Sequence, residues 1–255
     1  IWGATSYPLA ESDYSDWPVE MIEMEPHYEA VVKMLSLQQT KDHLSQSYPI
    51  YGSESYSDKQ TEVSKCILKH WYNNQEELLS KDIIFGRSRI AVRMLDDENG
   101  LGCVRCGMCL TGCAYDSIYS ANWTLNELLK YNGFRYLSPF WVQKFDEKSN
   151  YVRIYAKDPI TGNEKRMDYD ALFLAAGTLS TFRIVAESQN LYDTPVTIFD
   201  NDHYLVPFYR STKCNVIKDN PEFSLNELVI RIKTLGQPVH IQFYPMSQQI
   251  YDRFY

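Results

Sequence analysis

The sequence predicts a mixed fold, α/β (α+β), and three observations carry that prediction. Apolar residues recur at helical spacing in three stretches, from Glu25 to Leu35, from 58 past 71 and over 117–131. Short β-type runs separated by a turn sequence follow between 134 and 169. The unbroken apolar run Ala171-Leu172-Phe173-Leu174-Ala175-Ala176 then leads into Gly177 and a helical stretch. A continuous apolar strand ending in glycine and a helix is the pattern of a strand buried on both faces of an α/β sheet. With 255 residues and 44% hydrophobic content, the chain has material for one large domain or two small ones.

Taken in order, the first element is a helix opened by Glu25-Pro26. These supply an acidic first turn and a preset φ, and Tyr28, Val31, Val32 and Leu35 then recur at i, i+3, i+4, i+7, so one face is expected to be buried. Residues 38–56 are polar and rich in Ser, Tyr and Gln, and read as loop. A second helix is expected from 58 past 71, with Val63, Cys66, Ile67, His70 and Trp71 on one side. Cys66 and His70, at i and i+4, could serve a metal but read first as core cysteine beside a satisfied histidine. A third helix over 117–131 stops at Asn132-Gly133. Strands over 134–142, 151–156 and 165–169, the last two joined by Asp158-Pro159-Ile160-Thr161-Gly162-Asn163, form a small antiparallel meander. The apolar strand and a helix over 178–188 follow. Beyond Gln189, Asp200-Asn201-Asp202 reads as a turn. Runs at 204–206, 228–232 and 239–243 read as strands of a second, β-rich region that ends unfinished. The organisation expected is a helical and loop region over 1–100, a cysteine loop, helix, meander and strand–helix over 101–190, and the start of a β-rich domain over 191–255.

The formal charge of −8 and a pI near 5.2 argue against non-specific binding to nucleic acid or anionic membrane, which needs a basic surface. No apolar run approaches the roughly 18 residues of a membrane span, and the N-terminus lacks the basic and apolar regions of a signal peptide. A cytoplasmic protein is the expectation, and the missing initiator methionine suggests a piece of a longer chain. Twenty Tyr and five Trp suit carbohydrate or ring-shaped ligands, but amphipathic core and surface filling is the simpler account of them.

Four of the six cysteines fall in Gly102-Cys103-Val104-Arg105-Cys106-Gly107-Met108-Cys109-Leu110-Thr111-Gly112-Cys113, with spacing C-x2-C-x2-C-x3-C. Thiolates this close converge readily on one soft metal centre, and Gly107 and Gly112 let the backbone turn around it. The spacing is that of a ferredoxin cluster run, with Ala114 in place of the usual proline. A [4Fe-4S] cluster held by Cys103, Cys106, Cys109 and Cys113 is one reading. A four-thiolate zinc site, disulfides, or a loop that merely packs remain alternatives.

Trp2-Gly3, Trp17-Pro18, Glu25-Pro26-His27-Tyr28, the Cys103 to Cys113 block, the meander, and Ala175-Ala176-Gly177-Thr178-Leu179-Ser180-Thr181 with Ser188 together resemble glucose-methanol-choline (GMC) type FAD-dependent oxidoreductases. They are most similar to the bacterial group with a Cys-Gly-rich insert. The resemblance spans most of residues 1–190. It departs from the family's second signature at Phe182, where proline is usual, and at Gln189, where glycine follows the serine. It implies an incomplete FAD-binding domain with a small β-meander, followed by the start of an antiparallel-sheet substrate domain. It also implies oxidation of a CH–OH group, in a sugar or another alcohol, by hydride transfer to flavin. By the same resemblance Trp2, Gly3, Val142, Ala175, Ala176 and Gly177 border the FAD, and an electron-acceptor protein is a possible partner. The residues themselves leave tight strand-to-helix packing open as the alternative use of Ala175-Ala176-Gly177.

The family's G-x-G-x-x-G loop is not in this sequence. Gly100-Leu101-Gly102 meets Arg105 where the third glycine belongs, and cysteines follow instead of a helix. The family's C-terminal catalytic histidine has no counterpart either, so no catalytic residue is assigned and the chain alone is expected to be inert. His27 reads as a surface or capping residue, and His203 and His240 as strand histidines without a tuning carboxylate. There is no G-x-S-x-G, H-E-x-x-H or Walker loop. The reading from a different class is a small iron-sulfur or metal-binding electron-transfer protein without flavin. A third, a glycan-binding module, rests on aromatic abundance alone.

Overall fold

A computed structural model describes residues 6–9, 14, 17–56, 60–96, 100–198, 204–208, 222–233 and 238–245. Trp2, Gly3, the Asp200-Asn201-Asp202 turn and His203 lie outside the described residues. The described elements run α1 (Met21–Met34), β1 (Leu37–Gln38), a 3-10 helix (His43–Gln46), α2 (Glu62–Asn73), α3 (Gln75–Ser80), β2 (Ile83–Arg87) and β3 (Ile90–Ala91). There follow a 3-10 turn (Cys109–Thr111), α4 (Ala121–Leu128), β4 (Trp141–Glu147), β5 (Val152–Lys157), β6 (Glu164–Tyr169), α5 (Thr178–Gln189), β7 (Leu228–Ile232) and β8 (Val239–Phe243). The fold is α+β with three small antiparallel sheets, β1-β3, β2-β7-β8 and β4-β5-β6. Among the described residues no helix is long and apolar enough to cross a membrane.

The chain divides into two compact units, Ile1–Thr124 with Tyr209–Tyr255, and Leu125–Phe208. These cuts fall elsewhere than the 100/101 and 190/191 boundaries suggested by composition. In the first unit, α1 begins at Met21 and not at Glu25. Glu20 and Glu23 form a reciprocal cap, in which the Glu23 carboxylate accepts the Glu20 N–H at 2.8 Å. Pro26 therefore sits inside the helix, where the one hydrogen bond it cannot donate is lost. No residue of α1 is fully buried; Met21, Met24, Tyr28 and Val32, with Leu35 just beyond, form a half-buried stripe, while Val31 is exposed.

Helix α2 starts at Glu62, capped by Thr61, whose side chain accepts the Ser64 N–H. Its buried face is Ser64, Leu68 and Trp71, with Ile67 half-buried; Val63, Cys66 and His70 face solvent. The expected core pairing of Cys66 with His70 is thus corrected, because the buried stripe runs through Ser64 and Leu68. Leu68 and Trp71 pack on Phe85 of β2 and Leu228 of β7, both fully buried. Each such side chain contributes about 1.5–3 kcal/mol of burial. Strand β7 pairs with β2 on one side (Phe85↔Ile230) and β8 on the other (Ile230↔Ile241). The late strands therefore complete a sheet with residues 83–87; they do not open a separate β region.

In the second unit the meander forms with the strands at 151–156 and 165–169 close to expectation, but the first strand is Trp141–Glu147, not 134–142. Its register shifts between Val142 and Lys144. Ile154 and Ala156 are buried on one face of the sheet, α5 packs along β4 with Ile184 buried, and the Ser188 hydroxyl accepts the Phe145 N–H at 2.8 Å. The helix expected over 117–131 is the shorter α4. The apolar run 171–176 is extended but belongs to no sheet among the described residues, and Phe173 is 92% exposed. The segment 204–206 is likewise extended and exposed without a strand partner among the described residues.

Candidate metal centre

The loop after β3 is held at both ends. The Arg93 N–H donates to the Ser117 carbonyl at 2.8 Å, the Cys103 N–H to the Arg93 carbonyl at 2.8 Å, and Val92 bridges Ile118. Gly102 is glycine because any Cβ would stand 2.6 Å from the Leu95 backbone carbonyl carbon. Gly107 (φ +74°) and Gly112 (φ +108°) take the positive φ that their place in the loop suggested. Arg105 adopts φ +54° without being glycine, at a cost of about 1–2 kcal/mol that surrounding contacts must offset.

The structure brings Cys103, Cys106, Cys109 and Cys113 to one small pocket, walled by Val92, Met108, Ile118 and Phe223. All four are free thiols, as is Cys66 on the exposed face of α2, so disulfide pairing of the loop is not what the structure contains. Cys109 is buried in the same apolar cluster as Ile90, Val92, Phe223 and Leu225, with Cys103 packed against it. Among the described residues no three His, Cys, Asp or Glu side chains are close enough to share a single ion. The thiols thus surround a common space without meeting at one point.

Their environments differ. Burial pushes the Cys103 thiol up, opposed by the Arg105 N–H and the Arg105 charge. Burial also pushes Cys113 up, but there the backbone N–H groups of Ser117, Tyr115 and Ile118 win and hold it below the ordinary thiol value. The Ser117 N–H reaches the Cys113 sulfur at 3.3 Å. Such donors favour the thiolate, the form that ligates metal.

Two charged residues of the site were not singled out by the sequence. The side chains of Arg105 and Glu227 are only 5% and 2% exposed, and Arg105 Nη2 donates to Glu227 Oε1 at 2.6 Å. Glu227 also accepts the Thr61 hydroxyl at 2.5 Å and the Thr61 N–H at 3.1 Å. The Arg105 guanidinium lies 4.7 Å from the centre of the Phe223 ring, which walls the cysteine pocket. Arg105 Nε is buried without an acceptor among the described residues. Ser224 Oγ donates to the Gly107 carbonyl at 2.6 Å and Cys106 bridges Glu222, so residues 222–227 clamp the cysteine loop.

Of the flavin-border candidates described, Val142 is half-buried in β4, its carbonyl accepting from Arg183 Nη2 at 3.2 Å. Ala175, Ala176 and Gly177 are exposed. A Cβ on Gly177 would meet nothing within 4 Å, so tight packing does not explain that glycine. Its φ of +80° with ψ of 162° does, because that region is essentially closed to other residues. Of the histidines, His27 is exposed and His240 Nε2 lies 2.8 Å from the Tyr48 hydroxyl, a structural pairing. No protein-family model matches the chain, and no curated protein matches it.

Proposed function

We propose that this chain supplies the cysteine-loop and meander portion of an FAD-dependent oxidoreductase that oxidises a CH–OH group of a sugar or another alcohol, with an iron-sulfur cluster in the cysteine loop as electron relay. The observation that carries the relay is the gathering of four free thiols around one apolar-walled pocket. The donor set is soft, and an orphaned, buried Arg105 N–H in the same loop suits a negatively charged inorganic group. Cys103, Cys106, Cys109 and Cys113 would be the ligands. The cluster, when bound, supplies one-electron storage and transfer. The chain's own part is to exclude water with Val92, Ile118 and Phe223, and to offer N–H donors to the sulfurs of Cys103 and Cys113.

The flavin half rests on the resemblance, supported by the open surroundings of Gly177 at the end of the extended run 171–176 and by the meander before it. The sequence contains no G-x-G-x-x-G cradle for a pyrophosphate, so the chain offers at most a wall to FAD, and no hydride step is derived from its residues. A second reading, a metal-binding electron-transfer protein without flavin, is favoured by one observation. Every residue lining the cysteine pocket belongs to the first unit, so that site is complete without the meander.

Anaerobic purification of the full-length protein, with absorbance spectrum, iron and acid-labile sulfide measured on one sample, tests both. Flavin bands with stoichiometric iron and sulfide are expected. Iron and sulfide without flavin would favour the second reading, and neither would overturn both.

A further inference from the structure

Resting on the iron-sulfur reading of the cysteine pocket, we propose that Arg105 tunes the reduction potential of that centre and that Glu227 sets how much of its charge the centre feels. Arg105 lies between Cys103 and Cys106 in the sequence, with its side chain almost wholly removed from water. Water therefore screens its charge little, and a charge in low-dielectric surroundings acts strongly on its neighbours. The guanidinium is seated against the Phe223 ring, whose other contacts include the pocket itself. Its sole ion-pair partner among the described residues is Glu227, which binds through Nη2 alone. Nε is left buried and without an acceptor, an N–H that an anionic group beside it would satisfy.

A residue that only fixed the loop's shape would not need this charge arrangement. Ser224 and the Cys106–Glu222 bridge already fasten the loop by hydrogen bonds that carry no net charge. Arg105 adds a cation, and Glu227 partly compensates it. Reduction adds one negative charge to the centre. A nearby cation favours the reduced form, and a nearby anion disfavours it. The two members of the pair thus act with opposite sign on the potential, although both serve the same structural contact. Arg105 is in this sense a tuning and positioning residue, not a catalytic one.

The experiment uses the full chain reconstituted anaerobically with ferrous iron and sulfide, in wild type, Arg105→Met, Arg105→Lys and Glu227→Gln. Iron and sulfide content and the reduction potential by spectroelectrochemical titration are read for each. At matched iron content, Arg105→Met is expected to lower the reduced-to-oxidised ratio at fixed potential at least tenfold, about 59 mV for a one-electron couple. Glu227→Gln shifts the potential the other way, and Arg105→Lys, which keeps the charge, stays near wild type. Shifts of the same sign in Arg105→Met and Glu227→Gln, or unchanged potentials, would overturn the proposal. So would loss of iron from all variants including Arg105→Lys, because the side chain would then only hold the loop. A wild-type chain that takes up no stoichiometric iron and sulfide would overturn the reading of the site itself. A loaded wild type with unmoved variants would overturn only the role of Arg105.

Discussion

Glu227→Leu is expected to destabilise the apo chain by about 4–5 kcal/mol, and the figure follows from the groups it strands. Leucine keeps roughly the same volume, so no large cavity contributes. The Thr61 hydroxyl keeps Ser64 Oγ at 3.1 Å and is not orphaned. The Thr61 N–H, which has the carboxylate at 3.1 Å, loses its acceptor, at about 1–3 kcal/mol. Arg105 becomes an uncompensated buried cation, and breaking a buried pair by removing one partner costs about 3–5 kcal/mol. The two losses overlap, which sets the total below their sum. Arg105→Met leaves Glu227 with both Thr61 donors and is expected to cost less, about 3 kcal/mol. The double variant removes both charges. Replacing a buried ion pair by apolar groups is often close to neutral, so its cost is expected near 2 kcal/mol. The coupling between the sites is then several kcal/mol.

Urea denaturation in chelator, followed by tryptophan fluorescence, measures it. Trp71 packs with Phe85 and Leu228, and Leu228 directly follows Glu227, so the reporter sits in the affected core. Urea is preferred because a denaturing salt would screen the pair. If the double variant lost the sum of the single losses to within about 0.5 kcal/mol, the two residues would be acting independently and the argument would fail.

Three further outcomes follow from particular residues. Cys113→Ser is expected to drop iron uptake well below one cluster per chain. Cys66→Ser, on the exposed face of α2, leaves uptake unchanged, and equal loss in both would refute the assignment of ligands. Gly177→Ala forces a Cβ onto φ +80°, ψ 162° and is expected to destabilise by about 1–3 kcal/mol, read as a lowered unfolding midpoint, although open space surrounds the new methyl. Burial raises the Asp42 carboxyl above its ordinary value, against the Arg87 and Leu44 N–H donors and the Arg89 charge. Its contribution to stability is therefore complete below the ordinary aspartate value and is lost as pH rises through the raised one. The urea midpoint of wild type relative to Asp42→Asn should fall over that interval, and a pH-independent difference would refute it.

The elements most legible in the sequence were those whose pattern is local. Strands β5, β6, β7 and β8 have β-type runs on their own stretch of chain, and helix α5 is preceded by Gly177 at its N-cap. The sequence places the start of α1 four residues late because proline at position 26 resembles a first-turn residue, whereas the cap uses two glutamates without the usual serine or threonine. Strands β2 and β3 are not among the expected strands, although Ile83-Ile84-Phe85 and Ile90-Ala91-Val92 are short apolar runs that signal them. The apolar run 171–176 has the composition of a doubly covered strand, yet a strand exists only with a neighbour, and none is among the described residues. At the site, spacing alone assembled the four cysteines. The ion pair joins residues 122 apart in sequence, and nothing local at Glu227 points to Arg105.

That division bears on whether the cysteine loop is a site or only packing. A cysteine can serve as a small apolar filler, and Cys109, buried among Ile90, Val92, Phe223 and Leu225, needs no other explanation. Cys113 resists that account. It is not buried; its sulfur accepts the Ser117 N–H at 3.3 Å, and the backbone N–H groups of Ser117, Tyr115 and Ile118 hold its thiol below the ordinary value against the effect of burial. Packing does not require donors aimed at sulfur; a negative sulfur does. Arg105 resists it as well, since an apolar loop would be more stable with an apolar residue than with a buried guanidinium on a left-handed backbone. The two features are on different residues and arise from different interactions; one favours negative charge at a sulfur of the pocket, the other in the loop that carries it, against the Phe223 ring that walls it. A filler role for the four thiols explains neither, whereas thiolates around an inorganic centre account for both.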